Sequence, residues 1–223
     1  MIQEVVKPNP KQIDKPLTFH PDDRDMSKEE YENRFRTIIL PKLEANCTEI
    51  LKVYRRAKHF AYRGVFGASN ANDFVAGIRT DRRAGYLNLK VTEASNEAVV
   101  ELGGVAHRGN SIFCSANFIQ AKNWGDSMHP YIVFPKDGWD VTYFKKLGNT
   151  YMYYSLNGIA TYGVSFNSIV KRCKNIFIKK EISFDKNLLG LYLGTKVFEL
   201  LIAGDSWMGI SYKNKAIVEK YLL

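Results

Sequence analysis

The spacing of apolar residues changes at residue 58, and that change limits the folds open to this chain. From residue 27 to residue 58 the apolar positions recur at helical intervals. Beyond 58 they gather into short runs of strand length, separated by glycine and asparagine. In the first stretch, SKEE places Ser27 three residues before Glu30, the spacing of a capping box, so a helix is predicted from there to Leu40. Pro41 suits the first turn of a second helix. In it Leu43, Cys47, Ile50, Leu51 and Tyr54 share one face, and the basic run YRRAK suits a helix C-terminus. Residues 1–26 are polar and carry Pro8, Pro10, Pro16 and Pro21, which predicts an extended, weakly ordered arm.

After residue 58, strands are predicted at 59–66, 111–115, 130–135, 139–144, 176–182, 196–203 and 206–212. Helices are predicted at 69–76, 92–102, 117–123, 165–174, 184–193 and 213–221. Helices and strands do not alternate strictly, so the class is α+β rather than a doubly wound parallel sheet. Within KVFELLIAGDSWMGIS, residues 196–211, Gly204 and Asp205 read as a tight hairpin connection between two strands. GIRTDRRAGYLNLK, residues 77–90, reads as a basic loop. Residues 27–223 are expected to form one domain, with a helical region at 27–58 and a core at 59–223.

The net charge of +9 favours anionic partners: nucleic acid, phosphorylated ligands or an acidic protein face. Solubility alone is the competing reason for such a charge. Cys47, Cys114 and Cys173 are widely spaced, and no C-x-x-C or zinc-type Cys/His spacing occurs, which argues against a structural metal or a disulfide framework. The N-terminal residues have no apolar stretch of signal-peptide length, and no run approaches the ~18 apolar residues of a membrane span, so neither secretion nor a membrane is expected. G-x-S-x-G, P-loop and H-E-x-x-H patterns are absent, and the glycines of ELGGVAHRG do not form a dinucleotide fingerprint.

Three stretches remain. In FAYRG, residues 60–64, Arg63 interrupts an apolar run. A charge there is costly to bury without a partner, so it either points to solvent at a strand end or faces an anion in a cleft. In NSIFCSANFIQAKNWG, residues 110–125, a short apolar strand ends at Ser115, and a helix-like segment with Phe118 and Trp124 follows. In the third stretch, residues 196–211, Glu199 sits between Phe198 and Leu200, and alternation places Val197, Glu199 and Leu201 on one face. If these strands converge on a cleft, the planar fork of Arg63 would grip a phosphate there.

The order Tyr62-Arg63-Gly64, then Phe113-Cys114-Ser115-Ala116, then Glu199 followed by Leu200-Leu201-Ile202-Ala203-Gly204 resembles the arginine–serine–glutamate signature of mono-ADP-ribosyltransferases. The wider texture is similar to a group of bacteriophage proteins in which YRG precedes an arginine-rich loop (here IRTDRRAGY), an F-x-S strand, a WG turn (Trp124-Gly125) and a strand ending in FP (Phe134-Pro135). The resemblance spans roughly residues 58–212. It departs from the family at Ser115, where Ser-Thr-Ser is usual. It departs again at Val197, where enzymes that modify arginine carry Glu or Gln, and this leaves acceptors other than arginine, nucleic acid among them, open.

The resemblance implies an ADP-ribosyltransferase-like core of two packed, twisted sheets with an N-terminal helical region beside the cleft. It implies cleavage of the nicotinamide–ribose bond of NAD and transfer of ADP-ribose to a host protein or nucleic acid, in the host cytoplasm or a virion, with no metal. Glu199 would stabilise the developing positive charge, Arg63 with Gly64 would hold the pyrophosphate or adjoining ribose, and Ser115 would orient the strand. Phe118 or Trp124 would stack against nicotinamide, and Arg79, Arg82 and Arg83 would contact phosphate or acceptor. Two other expectations stand beside it: a non-catalytic phage structural or basic nucleic-acid-binding protein on the same fold, and an NAD glycohydrolase in which water replaces the acceptor.

Overall fold

The computed structural model describes residues 18–19, 26–65, 71–78, 80, 88–123, 130–146, 152–194 and 199–223. In chain order the elements are β1 (Thr18–Phe19), α1 (Lys28–Arg34), a π-helical turn (Phe35–Ile39), α2 (Leu40–Asn46), α3 (Thr48–Ala57), β2 (Tyr62–Arg63) and β3 (Asp73–Gly77). There follow α4 (Leu89–Glu101), β4 (Ser111–Cys114), α5 (Phe118–Lys122), β5 (Tyr131–Pro135), β6 (Asp140–Phe144), α6 (Met152–Asn157) and α7 (Phe166–Lys179). The last are β7 (Ile182–Ser183), α8 (Lys186–Tyr192), β8 (Leu200–Ala203), β9 (Ser206–Ser211), a 3-10 turn (Tyr212–Asn214) and α9 (Lys215–Leu222).

The helical start follows its local signals. The Ser27 hydroxyl accepts from the Glu30 N–H, and the Glu30 carboxylate accepts from the Ser27 N–H, which closes the capping box. Pro41 lies in the first turn of α2, where its missing N–H is tolerated. It brings no donor to the carbonyl four residues back, and the turn before it is widened to the π type. Helix α3 buries Ile50, Leu51, Val53 and Tyr54, and stops at Lys58 in the left-handed conformation.

The N-terminus of α3 is capped from a distance. Cys47 supplies no side-chain cap. Asp137, in the connection after β5, accepts from the Thr48 N–H at 3.0 Å, the Thr48 hydroxyl at 2.7 Å and the Glu49 N–H at 2.9 Å. Burial works against ionisation of Asp137, but these hydrogen bonds, with Lys52 nearby, outweigh it and hold the carboxyl below its usual range. Asp137→Ala is expected to cost about 1 kcal/mol, as loss of an N-cap does. A depressed carboxylate stabilises above its unfolded-state pKa and loses that contribution as pH falls through the folded value. The melting-temperature gap between wild type and variant should therefore be full at pH 7 and close progressively below about pH 4.

The strands form two antiparallel sheets, ordered β1-β3-β9-β5-β2 and β4-β8-β6-β7, so the chain is mixed α and β in line with the α+β class. In the first sheet Phe134 packs against Tyr54 of α3 and Phe60, at ring distances of 5.6 and 6.4 Å. On the opposite face Phe74 packs edge-on against Tyr131 and Trp207. Gly209 is the ladder partner of Phe74, and a Cβ there would stand 2.5 Å from the Phe74 ring, so this close approach needs glycine.

In the second sheet Ile112, Cys114, Val141, Tyr143, Leu200 and Ile202 join the core shared with the first sheet and α3. The alternate positions face the other way. There Phe113, Leu201 and Ala203 pack around Ala106, and Phe144 packs with α4 and α7.

Five predicted elements differ. The second helix, expected as one run from Pro41 through YRRAK, is interrupted at Cys47 and divides into α2 and α3. Residues 73–76, expected in a helix, form β3, because Phe74 and Ala76 are buried while Val75 is 43% exposed, a period of two locked by pairing with β9. Residues 176–179, expected in a strand, continue α7, because Phe177 extends the buried helical stripe of Ile169, Val170 and Cys173 against α4; only Ile182–Ser183 pair with β6. Of the strand predicted at 59–66, only Tyr62–Arg63 lie in a ladder, and residue 66 lies outside the described residues.

The fifth difference is the predicted hairpin. Gly204 and Asp205 join β8 and β9, but β8 pairs with β4 and β6 while β9 pairs with β3 and β5. The connection therefore carries the chain from one sheet to the other. It is held by an Ile78 N–H bond to the Asp205 carbonyl, and a side chain at Gly204 would press on Trp139 at 3.4 Å.

Candidate functional site

Strand β2 belongs to the first sheet through β5, yet it also touches the second. The Tyr62 N–H donates to the Ser115 carbonyl at 2.7 Å, and the Ser115 N–H donates to the Tyr62 carbonyl at 2.8 Å. The β4–β8 ladder ends at Cys114 and Leu200, so Ser115 and Glu199 flank the same end of it. The backbone positions of Arg63, Ser115 and Glu199 are thus brought together at the corner where the two sheets join. Glu199 itself lies immediately before β8 rather than within it.

Arg63 does not point to solvent. It is 6% exposed, its Nη1 donates to the Phe113 carbonyl at 2.9 Å, and its guanidinium lies 5.8 Å from the Trp207 ring centre. Gly64 follows it and is buried. Ser115 is fully buried; its hydroxyl donates to Gln120 Oε1 at 2.8 Å and accepts from the Asn117 N–H at 3.0 Å. Its single proton is therefore committed to the entry of α5.

Glu199 is 2% exposed, and Arg108 Nη2 donates to its Oε1 at 2.6 Å. The Arg108 guanidinium also lies 4.9 Å from the Phe113 ring centre. Phe113 thus receives one arginine on its carbonyl and the other on its ring. Both side chains are nearly excluded from water, and desolvating such a pair is costly.

Phe118 is not brought to this group. Its ring lies 4.1 Å from Tyr212 and packs edge-on to Tyr62. Successive residues of a strand face opposite sides, so Phe118 lies across β2 from Arg63. Trp124, Arg79, Arg82, Arg83 and Val197 lie outside the described residues.

Arg108 is the residue that sequence reasoning missed. Its only local signal is the turn-forming run His107-Arg108-Gly109-Asn110 immediately before β4. Burial pushes the Cys47 thiol up to about 12 and the Cys173 thiol to about 11, which removes both as thiolates near neutral pH. Among the described residues no group of His, Cys, Asp and Glu is placed to hold a metal ion. What the corner offers chemically is a buried carboxylate held by one guanidinium, with a second guanidinium on the Phe113 carbonyl nearby. No family model, curated protein or solved structure matches this chain.

Proposed function

We propose that the protein is an NAD-dependent mono-ADP-ribosyltransferase of the bacteriophage kind, built on an ADP-ribosyltransferase-like core, with a host protein or nucleic acid as acceptor. The observation that carries this reading is the meeting of Arg63, Ser115 and Glu199 at one sheet corner, from strand segments far apart in sequence. In the reaction the bond between the ribose C1′ and the nicotinamide nitrogen breaks, and its electron pair leaves with nicotinamide. Positive charge develops on the ribose, as in glycoside cleavage. Glu199 stabilises that charge more than the ground state, and only this difference accelerates the step. The acceptor's lone pair then closes on C1′, and its proton passes to solvent. Arg63 holds the pyrophosphate end, and Ser115 fixes the geometry of β2 against the second sheet. No helix among the described residues is long and apolar enough to cross a membrane.

Incubation with labelled NAD and a host lysate tests this. Wild-type protein should release nicotinamide, and Glu199→Gln should release it about 10²–10³-fold more slowly, the usual cost of losing a preorganised electrostatic group. The labelled fraction identifies the acceptor class, and free ADP-ribose without labelled macromolecule would make the protein a glycohydrolase. No release by wild type, with NAD failing to raise the melting temperature, would remove the NAD reading.

A second reading has its own support. The Ser115 hydroxyl is fully engaged and Glu199 is ion-paired, as in a purely structural corner. The protein would then be a non-catalytic virion or basic nucleic-acid-binding protein. Steeply salt-dependent nucleic-acid binding, unchanged by Glu199→Ala, would favour it.

A further inference from the structure

We propose that Arg108 is a positioning residue that holds the Glu199 carboxylate fixed for the reaction; this rests on the transferase reading above. The contact is short and dry: 2.6 Å, with side chains 11% and 3% exposed. The loop that presents Arg108 is bound at several points. The His107 N–H donates to Asn110 Oδ1 at 2.8 Å, Asn110 Nδ2 donates to the Val105 carbonyl at 3.0 Å, and the Gly109 N–H donates to His107 Nδ1 at 3.1 Å. Burial lowers the pKa of His107, consistent with a neutral ring accepting at Nδ1. Thr142 Oγ1 donates to the Ala106 carbonyl at 2.6 Å, and buried Ala106 packs on Leu201 and Ala203 of β8. The loop is therefore attached to the strand that Glu199 leads into.

Two roles for such an arginine compete. It either leaves Glu199 for an incoming phosphate, or it stays. Leaving would break a short contact between two side chains nearly excluded from water and bring a second anion up to a buried carboxylate, which is costly. The loop's own hydrogen bonds also oppose the movement. Arg108 therefore stays, and its contribution is a carboxylate that needs no reorganisation when charge develops on the ribose. Arg63, on the carbonyl of the Phe113 whose ring Arg108 covers, remains the phosphate contact.

The test measures nicotinamide release and the NAD-induced rise in melting temperature for wild type, Arg108→Ala, Arg108→Lys and Glu199→Gln. Arg108→Ala should lower kcat about 10²-fold, the scale of a small misplacement of a reacting group. Its KM and NAD-induced melting shift should stay close to wild type. Dilute guanidinium ion should restore part of the rate in Arg108→Ala and none in Glu199→Gln. Arg108→Lys keeps the charge but not the planar fork, so its rate should fall between wild type and Arg108→Ala, and it serves if the alanine variant does not fold. Wild-type kcat in Arg108→Ala or Arg108→Lys would overturn the proposal and leave the transferase reading intact, as would a slow, folded variant that guanidinium does not rescue. A wild type that neither releases nicotinamide nor is stabilised by NAD would overturn both.

Discussion

Arg108→Ala should lower the free energy of unfolding by about 3–5 kcal/mol, the cost of removing one partner from a buried ion pair. The size of the effect comes from what is left behind. Glu199 is 2% exposed and retains its carboxylate in a place from which water is excluded. The lost attraction itself is a smaller part, because desolvation had already offset most of it. Urea denaturation of both single variants and of Arg108→Met with Glu199→Leu separates these contributions. The apolar double variant should recover most of the loss, since similar volume is restored without a buried charge, while each single variant stays low. A cost below about 1 kcal/mol for Arg108→Ala would show that the pair is solvated in solution.

Phe134→Ala should cost about 3–5 kcal/mol as a core truncation. Phe134 is fully buried in β5 and is the surface on which α3 rests through Tyr54, at 80° between ring planes; Phe60, in the connection after α3, packs on it too. The Tyr54 hydroxyl donates to the neighbouring Val133 carbonyl, so the cavity would also disturb a buried hydrogen bond. For a chain of this length, melting should fall by roughly 6–20 °C. Val75→Ala in the same sheet is the control, because Val75 is 43% exposed and should change stability by no more than about 0.5 kcal/mol. Equal effects at the two positions would contradict the packing of α3 on this sheet.

The elements that could be read directly from the chain are those whose causes lie within a few residues. The Ser27–Glu30 box, Pro41 at a first turn and the apolar face of α3 need only their neighbours in sequence. The cap of α3 could not be read this way: Asp137 lies 89 residues from Thr48, and nothing near Cys47 announces it. The segment 176–179 was ambiguous because its β-branched and aromatic residues suit a strand as well as a helix, and packing against α4 settled it. At Gly204-Asp205 the sequence predicts a turn, and a turn is there. Whether it closes a hairpin or crosses between sheets depends on which partners β8 and β9 find elsewhere.

The corner itself divides in the same way. That Arg63 needs an unusual setting follows from one charge in an apolar run, since burial energetics are local to the residue. That its neighbours are the Phe113 carbonyl and the Trp207 ring, and that Glu199 is held by Arg108, follows from strand register. Register is a property of paired strands, set by contacts between residues distant in the chain, and no single segment carries it.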